Sequence, residues 1–333
     1  MKIAIFGAGS IGAYVGGALL ASGADVVLIG RARMQASVAR HGLTLTDLNG
    51  HRHQLTPDQV PYTQDPAALA TADLILVTVK SADTPAAAQA IGAYARTTAT
   101  VLSLQNGIGN ADTLREALPG WTVLAGMVPF NVVQLPEGCL HRGTEGEMAV
   151  EASPALAPWH AAFKAARVPL LEHADFAAVQ WGKLLLNLNN PVNALSGLPL
   201  KAELSQRAYR RCLALLIDEA RAVLRVAGIR PAKVARVGPG LLPTLLRLPD
   251  ALFTRVAATM LRIDPQARSS MWEDLQAGRR TEVDYLNGAV VKLAQPLGLK
   301  APANERLVAL MRAAEAGTQP ALSGTALWQA LTR

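Results

Sequence analysis

The chain has 333 residues, of which 50% are hydrophobic and only 17% are charged, so it can bury two cores of domain size. Its formal net charge of +7 comes from scattered lysines and arginines, and only 5% of the residues are aromatic. A nucleic-acid-binding protein usually clusters its basic residues among aromatic ones, so this composition favours a phosphate-rich small ligand or an anionic substrate instead.

The two cysteines, Cys139 and Cys212, lie far apart and outside any metal-ligand spacing. We therefore expect a reduced, cytoplasmic protein with no metal site. The apolar run at residues 3–6 stops at Gly7, which is too short for a signal peptide or a membrane span.

The first 29 residues predict a βαβ unit. Residues 1–6 are a short apolar run rich in branched side chains, typical of a buried parallel strand. Residues 11–22 are small and apolar and predict a helix that stops at Gly23, and residues 25–29 predict the next strand.

The alternation of strands and helices continues beyond this unit. Strands are predicted at residues 73–79, 100–104 and 121–126, with a helix at 85–94. Residues 127–150 have strand-like segments and turns, which indicate an antiparallel extension. The fold class predicted is α/β, with an open, doubly wound Rossmann sheet covered by helices on both faces.

The second half of the chain has a helical pattern almost throughout. Helices are predicted at residues 175–196, 202–227, 241–261, 269–297 and 303–315. We therefore divide the chain into a Rossmann domain, 1–172, and an all-α C-terminal domain, 173–333. In α/β proteins of this kind the ligand binds outside the carboxyl ends of the strands.

A glycine-rich loop lies between the first strand and the first helix. It consists of Gly7, Ala8, Gly9, Ser10, Ile11 and Gly12. This context turns a weak GxGxxG pattern into a dinucleotide-binding prediction. Gly7 would allow the tight turn, Gly9 the approach of the pyrophosphate, and Gly12 the packing of helix on strand. The alternative is a glycine turn with a structural role only.

The end of the second strand indicates which dinucleotide binds. Sites that prefer NAD usually place an Asp or Glu there, but this strand ends in Gly30-Arg31. An arginine can pair with the 2′-phosphate of NADP and stack on its adenine, so Arg31 predicts NADP as the cofactor. Alternatively, Arg31 only begins a solvated helix.

Polar residues recur along the first predicted helix of the second half. Lys183, Asn187 and Asn190 are spaced i, i+4 and i+7, so they would share one helix face. A desolvated lysine has a lowered pKa and can act as a general acid near neutral pH. The alternative is an ordinary solvated strip.

Several blocks of sequence follow one another in an order and spacing typical of a known family. They are GAGSIG, Val79-Lys80, Gln105-Asn106-Gly107-Ile108-Gly109, WGKLLLN at 181–187, Ser269-Ser270-Met271, and RTEVDYLNG at 280–288. Through these blocks nearly the whole chain resembles the ketopantoate reductases (2-dehydropantoate 2-reductases). The resemblance implies a Rossmann domain followed by a helical domain. It also implies reduction of ketopantoate by NADPH to (R)-pantoate, for pantothenate and coenzyme A synthesis.

The resemblance also implies roles for individual residues. Lys183 would be the general acid, and Asn106 would lie beside the nicotinamide and the reacting carbonyl. Lys80 would contact the cofactor, and Glu282 would face its ribose and help to order the site.

On the substrate side, Asn187 and Asn190 would hold the substrate, and Ser270 would bind its carboxylate. The chain departs from the family's pattern at Pro191, Leu200 and Ala267, where polar residues are expected. These departures favour a less polar 2-oxo acid. Pro191 should also bend or end the helix.

Each of these residues also has an ordinary structural interpretation. Lys80 could be an exposed lysine at a strand end, and Asn106 a turn residue before a glycine. Glu282 could pair with Arg279 or Arg280, and Ser270 could cap the next helix.

Two other functions stay open at this point: a related NADP-dependent reductase or dehydrogenase of a different 2-oxo or hydroxy acid, and a non-catalytic NADP-sensing protein. The partners expected are a small 2-oxo acid and a second copy in a homodimer, with no nucleic acid and no membrane.

Overall fold

The computed structural model describes residues 1–234, 237–256 and 266–333. The chain forms two compact units, Met1–Phe176 and Ala177–Arg333. The domain boundary predicted after residue 172 lies shortly before the boundary between these units.

The first unit contains the strands and the helices that cover them. Its strands are β1 (Lys2–Phe6), β2 (Asp25–Ile29), β3 (Leu43–Asp47), β4 (Arg52–Leu55), β5 (Tyr62–Thr63), β6 (Leu74–Val77), β7 (Thr100–Ser103), β8 (Thr122–Met127), β9 (Val132–Gln134), β10 (Cys139–Arg142), β11 (Met148–Glu151) and β12 (Leu170–His173). Its α-helices are α1 (Ser10–Ala21), α2 (Ala32–His41), α3 (Thr84–Tyr94), α4 (Asn110–Ala117) and α5 (His160–Ala165).

The main sheet has the strand order β12-β11-β8-β7-β6-β1-β2-β5. From β5 to β8 all neighbours are parallel, in the order of a dinucleotide-binding sheet. The central strands β6 and β7 are buried along their whole length, as an apolar parallel strand covered on both faces must be. The predicted Rossmann fold is confirmed.

The antiparallel extension predicted for residues 127–150 is only partly right. β11 joins the main sheet antiparallel to β8, but β9 and β10 belong to a second sheet with the order β4-β3-β10-β9. Leu43, Leu45 and Leu140 of this sheet are buried in the same core as the apolar residues of α1. Burial of these leucines accounts for the pairing of two segments that are distant in the sequence.

The second unit is helical, as predicted. The helix α6 (Phe176–Asn187) begins at the unit boundary, and the others are α7 (Asn189–Ser196), α8 (Leu200–Leu204), α9 (Arg207–Val226), α10 (Leu242–Leu246), α11 (Asp250–Val256), α12 (Ser270–Gln276), α13 (Asn287–Ala294), α14 (Pro302–Glu315) and α15 (Gly324–Thr332). Nowhere in the described ranges of the chain is a helix both long enough and apolar enough to cross a membrane.

The helix predicted over residues 175–196 is two helices, α6 and α7, with Leu188 between them. Proline has no N–H to donate to the carbonyl four residues earlier, and its ring crowds that carbonyl. For Pro191 this is the carbonyl of Asn187, where α6 ends. Pro191 itself lies in the first turn of α7, where a missing N–H costs no intrahelical bond.

Three more predicted helices are wrong in extent. The helix predicted over 202–227 is α8 and α9, and the one over 241–261 is α10 and α11 up to residue 256, with 257–261 outside the described residues. The helix over 269–297 is interrupted between α12 and α13. Gly278 ends α12 with a φ of 63°, the left-handed backbone that terminates many helices.

Candidate functional site

The predicted cofactor residues of the first unit lie along one edge of the main sheet. The glycine loop follows β1, Arg31 comes shortly after β2, Lys80 after β6 and Asn106 after β7, and these four strands are adjacent in the sheet. Because the carboxyl ends of parallel strands lie at the same edge, the fold brings these four segments together.

The glycine loop is as tightly packed as a dinucleotide loop requires. Gly7 has a φ of 105°, and a Cβ on it would overlap the backbone nitrogen of Val79. A Cβ on Gly12 would overlap the hydroxyl of Thr78, whereas a Cβ on Gly9 would come no closer than 3.9 Å to another residue. The loop backbone is therefore closely packed at Gly7 and Gly12, at its two ends. At Gly9 it has free space beside it, which fits the approach of a pyrophosphate.

The helix that follows this loop presents its positive end there. Gly9 is the N-cap of α1, and within the described residues no side chain caps it. The amides of the first turn and the helix dipole therefore favour a bound anion. The loop is held from the other side by Tyr62, whose hydroxyl donates to the carbonyl of Ala8 at 2.9 Å.

A buried hydrogen-bond network ties the turn after β6 to the turn after β7. The amide nitrogen of Asn110 donates to the carbonyl of Asn106 at 2.6 Å and to the hydroxyl of Ser81 at 3.1 Å. Ser81 in turn donates to the same carbonyl at 3.1 Å. The network fixes the backbone beside Lys80 and Asn106, whose side chains stay exposed.

Gln105 and Thr84 extend this network. The amide nitrogen of Gln105 donates to Thr84 at 2.8 Å and to the carbonyl of Val79 at 3.1 Å, and Thr84 donates to Asn110 at 3.0 Å. Sequence reasoning missed these supporting residues. The feature that could have revealed them is the recurrence of polar residues in the turns that follow two buried strands.

Arg31 is exposed and is the N-cap residue of α2. Its guanidinium lies 2.8 Å from the carboxylate of Asp83, a residue that sequence reasoning did not single out. The arginine predicted to bind a 2′-phosphate therefore has an acidic neighbour.

The remaining predicted site residues lie in the second unit. Lys183 and Asn187 are half-buried and one turn apart on α6. Asn190 lies on α7, so the single continuous helix face predicted for the three residues is wrong. The helix is interrupted at Leu188, between Asn187 and Asn190.

Lys183 has a perturbed pKa. Burial lowers the pKa of its ammonium group to about 8, and the negative charge of Glu282 works in the opposite direction. Lys183 and Glu282 therefore lie within electrostatic range of each other. Arg279, one of the two partners suggested for Glu282, instead binds Asp274 at 2.9 Å.

Ser270 does not cap α12, contrary to one interpretation of the sequence. The cap is Ser269, whose hydroxyl accepts from the amide of Trp272 at 3.2 Å and donates to the carbonyl of Asn190 at 3.1 Å. Ser270 is the exposed first residue of the helix. Its hydroxyl is therefore not used as the N-cap.

A buried carboxyl group lies beside α7. Glu203 on α8 is fully buried, and it accepts a hydrogen bond from the amide nitrogen of Asn189 at 3.0 Å. Burial raises the pKa of Glu203 to about 8, so this group carries a proton near neutral pH. Sequence reasoning missed it, since a glutamate in a helical pattern is usually solvated.

Comparison with known proteins adds to this geometry. The family model described as Ketopantoate reductase PanE/ApbA matches residues 3–155, and its C-terminal counterpart matches residues 175–315. The chain belongs to the ketopantoate reductase family. The predicted family is confirmed, and so is the predicted enzyme class, an NADP-dependent oxidoreductase of the 2-dehydropantoate 2-reductase type.

The relatives of this chain are similar to it over almost its whole length. A 2-dehydropantoate 2-reductase of Halobacterium salinarum is 31% identical over 322 residues, which are 95% of this chain and 99% of that protein. The structure of a PanE/ApbA family ketopantoate reductase from Ralstonia eutropha is 34% identical with a TM-score of 0.82, covering 96% of this chain and 100% of that one. A D-mandelate dehydrogenase solved with NADH and anilino(oxo)acetate shares the fold, with a TM-score of 0.77 at 21% identity, covering 96% and 99% of the two chains.

Two of the departures from the ketopantoate reductase pattern adjoin each other. The amide of Leu200 donates to the carbonyl of Ala267 at 2.8 Å, and both residues are half-buried. The buried amide of Asn193 nearby is occupied by backbone groups, namely the carbonyl of Leu198 and the amide of Ser269. Pro191 is itself buried in α7. Apolar residues thus stand at these three positions, where polar ones were expected.

Proposed function

We propose that this ketopantoate reductase reduces 2-dehydropantoate to (R)-pantoate. The observation that carries the proposal is Lys183, a half-buried lysine whose pKa burial lowers to about 8, within electrostatic range of Glu282. Such a group is still largely protonated at neutral pH and gives up its proton readily. When bound, NADPH supplies the hydride that reduces the 2-oxo carbon.

Lys183 is assigned the role of general acid. It protonates the oxygen that becomes the hydroxyl of the product, and its positive charge stabilises the negative charge that develops on that oxygen. Glu282 keeps the ammonium group charged by raising its pKa against the effect of burial. In this arrangement the Lys183 Nζ stays protonated until its proton is transferred to the substrate oxygen.

The cofactor is assigned to the carboxyl edge of the main sheet. The backbone amides at the start of α1 would hold the pyrophosphate, and Arg31 would hold the 2′-phosphate. Lys80 and Asn106 would contact the rest of the cofactor. The crowding around Gly7 and Gly12 and the open space over Gly9 support this assignment.

The substrate is assigned to the second unit, where Asn187, Asn190 and Ser270 would hold its carboxylate and its hydroxyl-bearing end. The apolar pair Leu200 and Ala267 favours a second candidate, a 2-oxo acid with a more apolar side chain. A binding site without polar partners for the substrate hydroxyl no longer favours a hydroxylated substrate over an apolar one.

Turnover with a panel of 2-oxo acids tests the proposal. We expect NADPH consumption, followed by its absorbance, with the highest kcat/KM for ketopantoate. A higher kcat/KM for an apolar 2-oxo acid would establish the second candidate. If the protein binds NADPH but reduces none of the 2-oxo acids, both candidate reactions are contradicted and a cofactor-sensing protein is favoured.

The variant Lys183→Ala tests the acid in the same assay. Removal of a general acid typically lowers kcat by about 100-fold or more. Lys201→Ala is the matched control, since Lys201 is an exposed lysine on α8 and should leave turnover unchanged. Equal activity of both variants would remove Lys183 from the mechanism.

We also propose a cytoplasmic homodimer. Both cysteines are free thiols, and Leu241, Leu252 and Val256 expose much of their apolar surface. A dimeric ketopantoate reductase from Staphylococcus aureus shares the fold, with a TM-score of 0.71 at 16% identity. Sedimentation velocity should give twice the chain mass of 35.1 kDa, whereas a monomer at every concentration would contradict the dimer.

A further inference from the structure

The edge of the sheet assigned to the cofactor carries an acidic residue with no role so far. Asp83 is the last residue of the 3₁₀ turn that follows Lys80, and its carboxylate lies 2.8 Å from the Arg31 guanidinium. The turn is anchored by Ser81, which is fully buried in the network around Asn110. The carboxylate is thus presented by a rigid turn, while Arg31 is 80% exposed.

Position 30, directly after β2, has no room for an acidic side chain while Tyr62 keeps its place. A Cβ on Gly30 would overlap the hydroxyl of Tyr62, which is bonded to the carbonyl of Ala8. Burial raises the pKa of Tyr62 to about 12, so this phenol stays protonated and continues to donate. The carboxylate that NAD-preferring sites place at this strand end is therefore missing here, and Asp83 supplies one from the turn after β6 instead.

We propose that Asp83 is a specificity-determining residue that reduces the preference for NADPH over NADH. This inference rests on the proposed function, in which Arg31 binds the 2′-phosphate. The carboxylate of Asp83 already occupies one N–H of the guanidinium, and it repels a second anion at the same group. The 2′-hydroxyl of NADH carries no charge and can donate to a carboxylate, so NADH does not incur this repulsion.

The binding of both dinucleotides to Asp83→Asn tests the proposal. We expect isothermal titration to show NADPH bound about three- to tenfold more tightly than by the wild type, with NADH unchanged or slightly weaker, because the ion pair is exposed and screened. The control is Asp25→Asn, which makes the same charge change at the exposed amino end of β2. It should leave both affinities unchanged.

A double variant distinguishes competition for the Arg31 guanidinium from a general effect of removing the negative charge of Asp83. In the Arg31→Ala background, Asp83→Asn should alter the ratio of the two affinities less than it does in the wild type, since the competition for the guanidinium is gone and only the direct effect of the carboxylate on the 2′-group remains. Unchanged or weaker NADPH binding by Asp83→Asn alone would overturn the inference, because the carboxylate would then only orient Arg31. A wild-type protein that binds neither dinucleotide would overturn the proposed function itself, and the inference with it.

Discussion

Lys183 is subject to two opposing influences on its proton. Burial favours the neutral amine, and the charge of Glu282 favours the ammonium form, with a net pKa of about 8. A general acid is useful only while it is protonated. The pH dependence of turnover therefore reports on this pair of residues.

We expect kcat/KM to be highest below pH 8 and to fall as the pH rises through about 8, because Lys183 then loses its proton. Glu282→Gln removes the charge that raises this pKa, so the descending limb should move to lower pH. Steady-state pH profiles measure both effects. A profile with no decline before the ordinary pKa of lysine would contradict the assignment, as would an unmoved limb in Glu282→Gln.

Among the elements, α7 and α8 are connected by a buried carboxyl group. Glu203 has a pKa of about 8 in the folded protein, against an ordinary value of 4.5. Between these two values the unfolded chain releases a proton that the folded chain retains. The free energy of unfolding contributed by this group therefore falls as the pH rises from about 4.5 to about 8.

Glu203→Gln should remove this dependence, because an amide preserves the shape of the protonated acid and does not ionise. We expect the melting temperature of the variant to exceed that of the wild type by several degrees near pH 8, and to approach it at acidic pH. Thermal unfolding monitored by circular dichroism measures the difference. Glu273→Gln, at an exposed position of α12, should behave like the wild type. Parallel pH curves for Glu203→Gln and the wild type would contradict the buried acid.

The existence of most helices could be predicted from the sequence, but several of their ends could not. Periodicity alone extends a helix through residues 269–297, because apolar residues recur on both sides of the interruption after Gly278. The sequence also did not distinguish Ser269 from Ser270 as the cap of α12; Ser269 makes, besides the cap, a hydrogen bond to the distant Asn190 carbonyl. Propensity describes neighbours in sequence, and these features depend on neighbours in space.

For the site, the glycine loop, Arg31 and Lys183 could be found from the sequence because motif and spacing identify them. Asp83 could not be found in this way. Its position beside Arg31 follows from the order of β2, β1 and β6 in the sheet, which brings the two residues together across 52 positions of sequence. The roles of the glycine loop, Arg31, Lys183 and Asp83 in binding and catalysis stay predictions.

At the scale of the whole molecule, the alternation of strands and helices predicted the open, mostly parallel main sheet, but not the order of its strands. The second sheet follows from no local pattern. Its central pair, β3 and β10, joins Leu43–Asp47 to Cys139–Arg142 in parallel register, across the whole middle of the first unit. Sequence periodicity carries no information about contacts between segments so far apart in the chain.

This pairing sets an order of events during synthesis. The hairpin of β3 and β4 leaves the ribosome well before β10, so one edge of β3 lacks its hydrogen-bonding partner while the intervening residues, including β6, β7 and β8, are being translated. An unpaired strand edge beside apolar leucines is a site for wrong association between nascent chains. The second sheet is therefore complete only after Arg142 has emerged, and a chain interrupted before Cys139 would expose an unpaired strand edge prone to association.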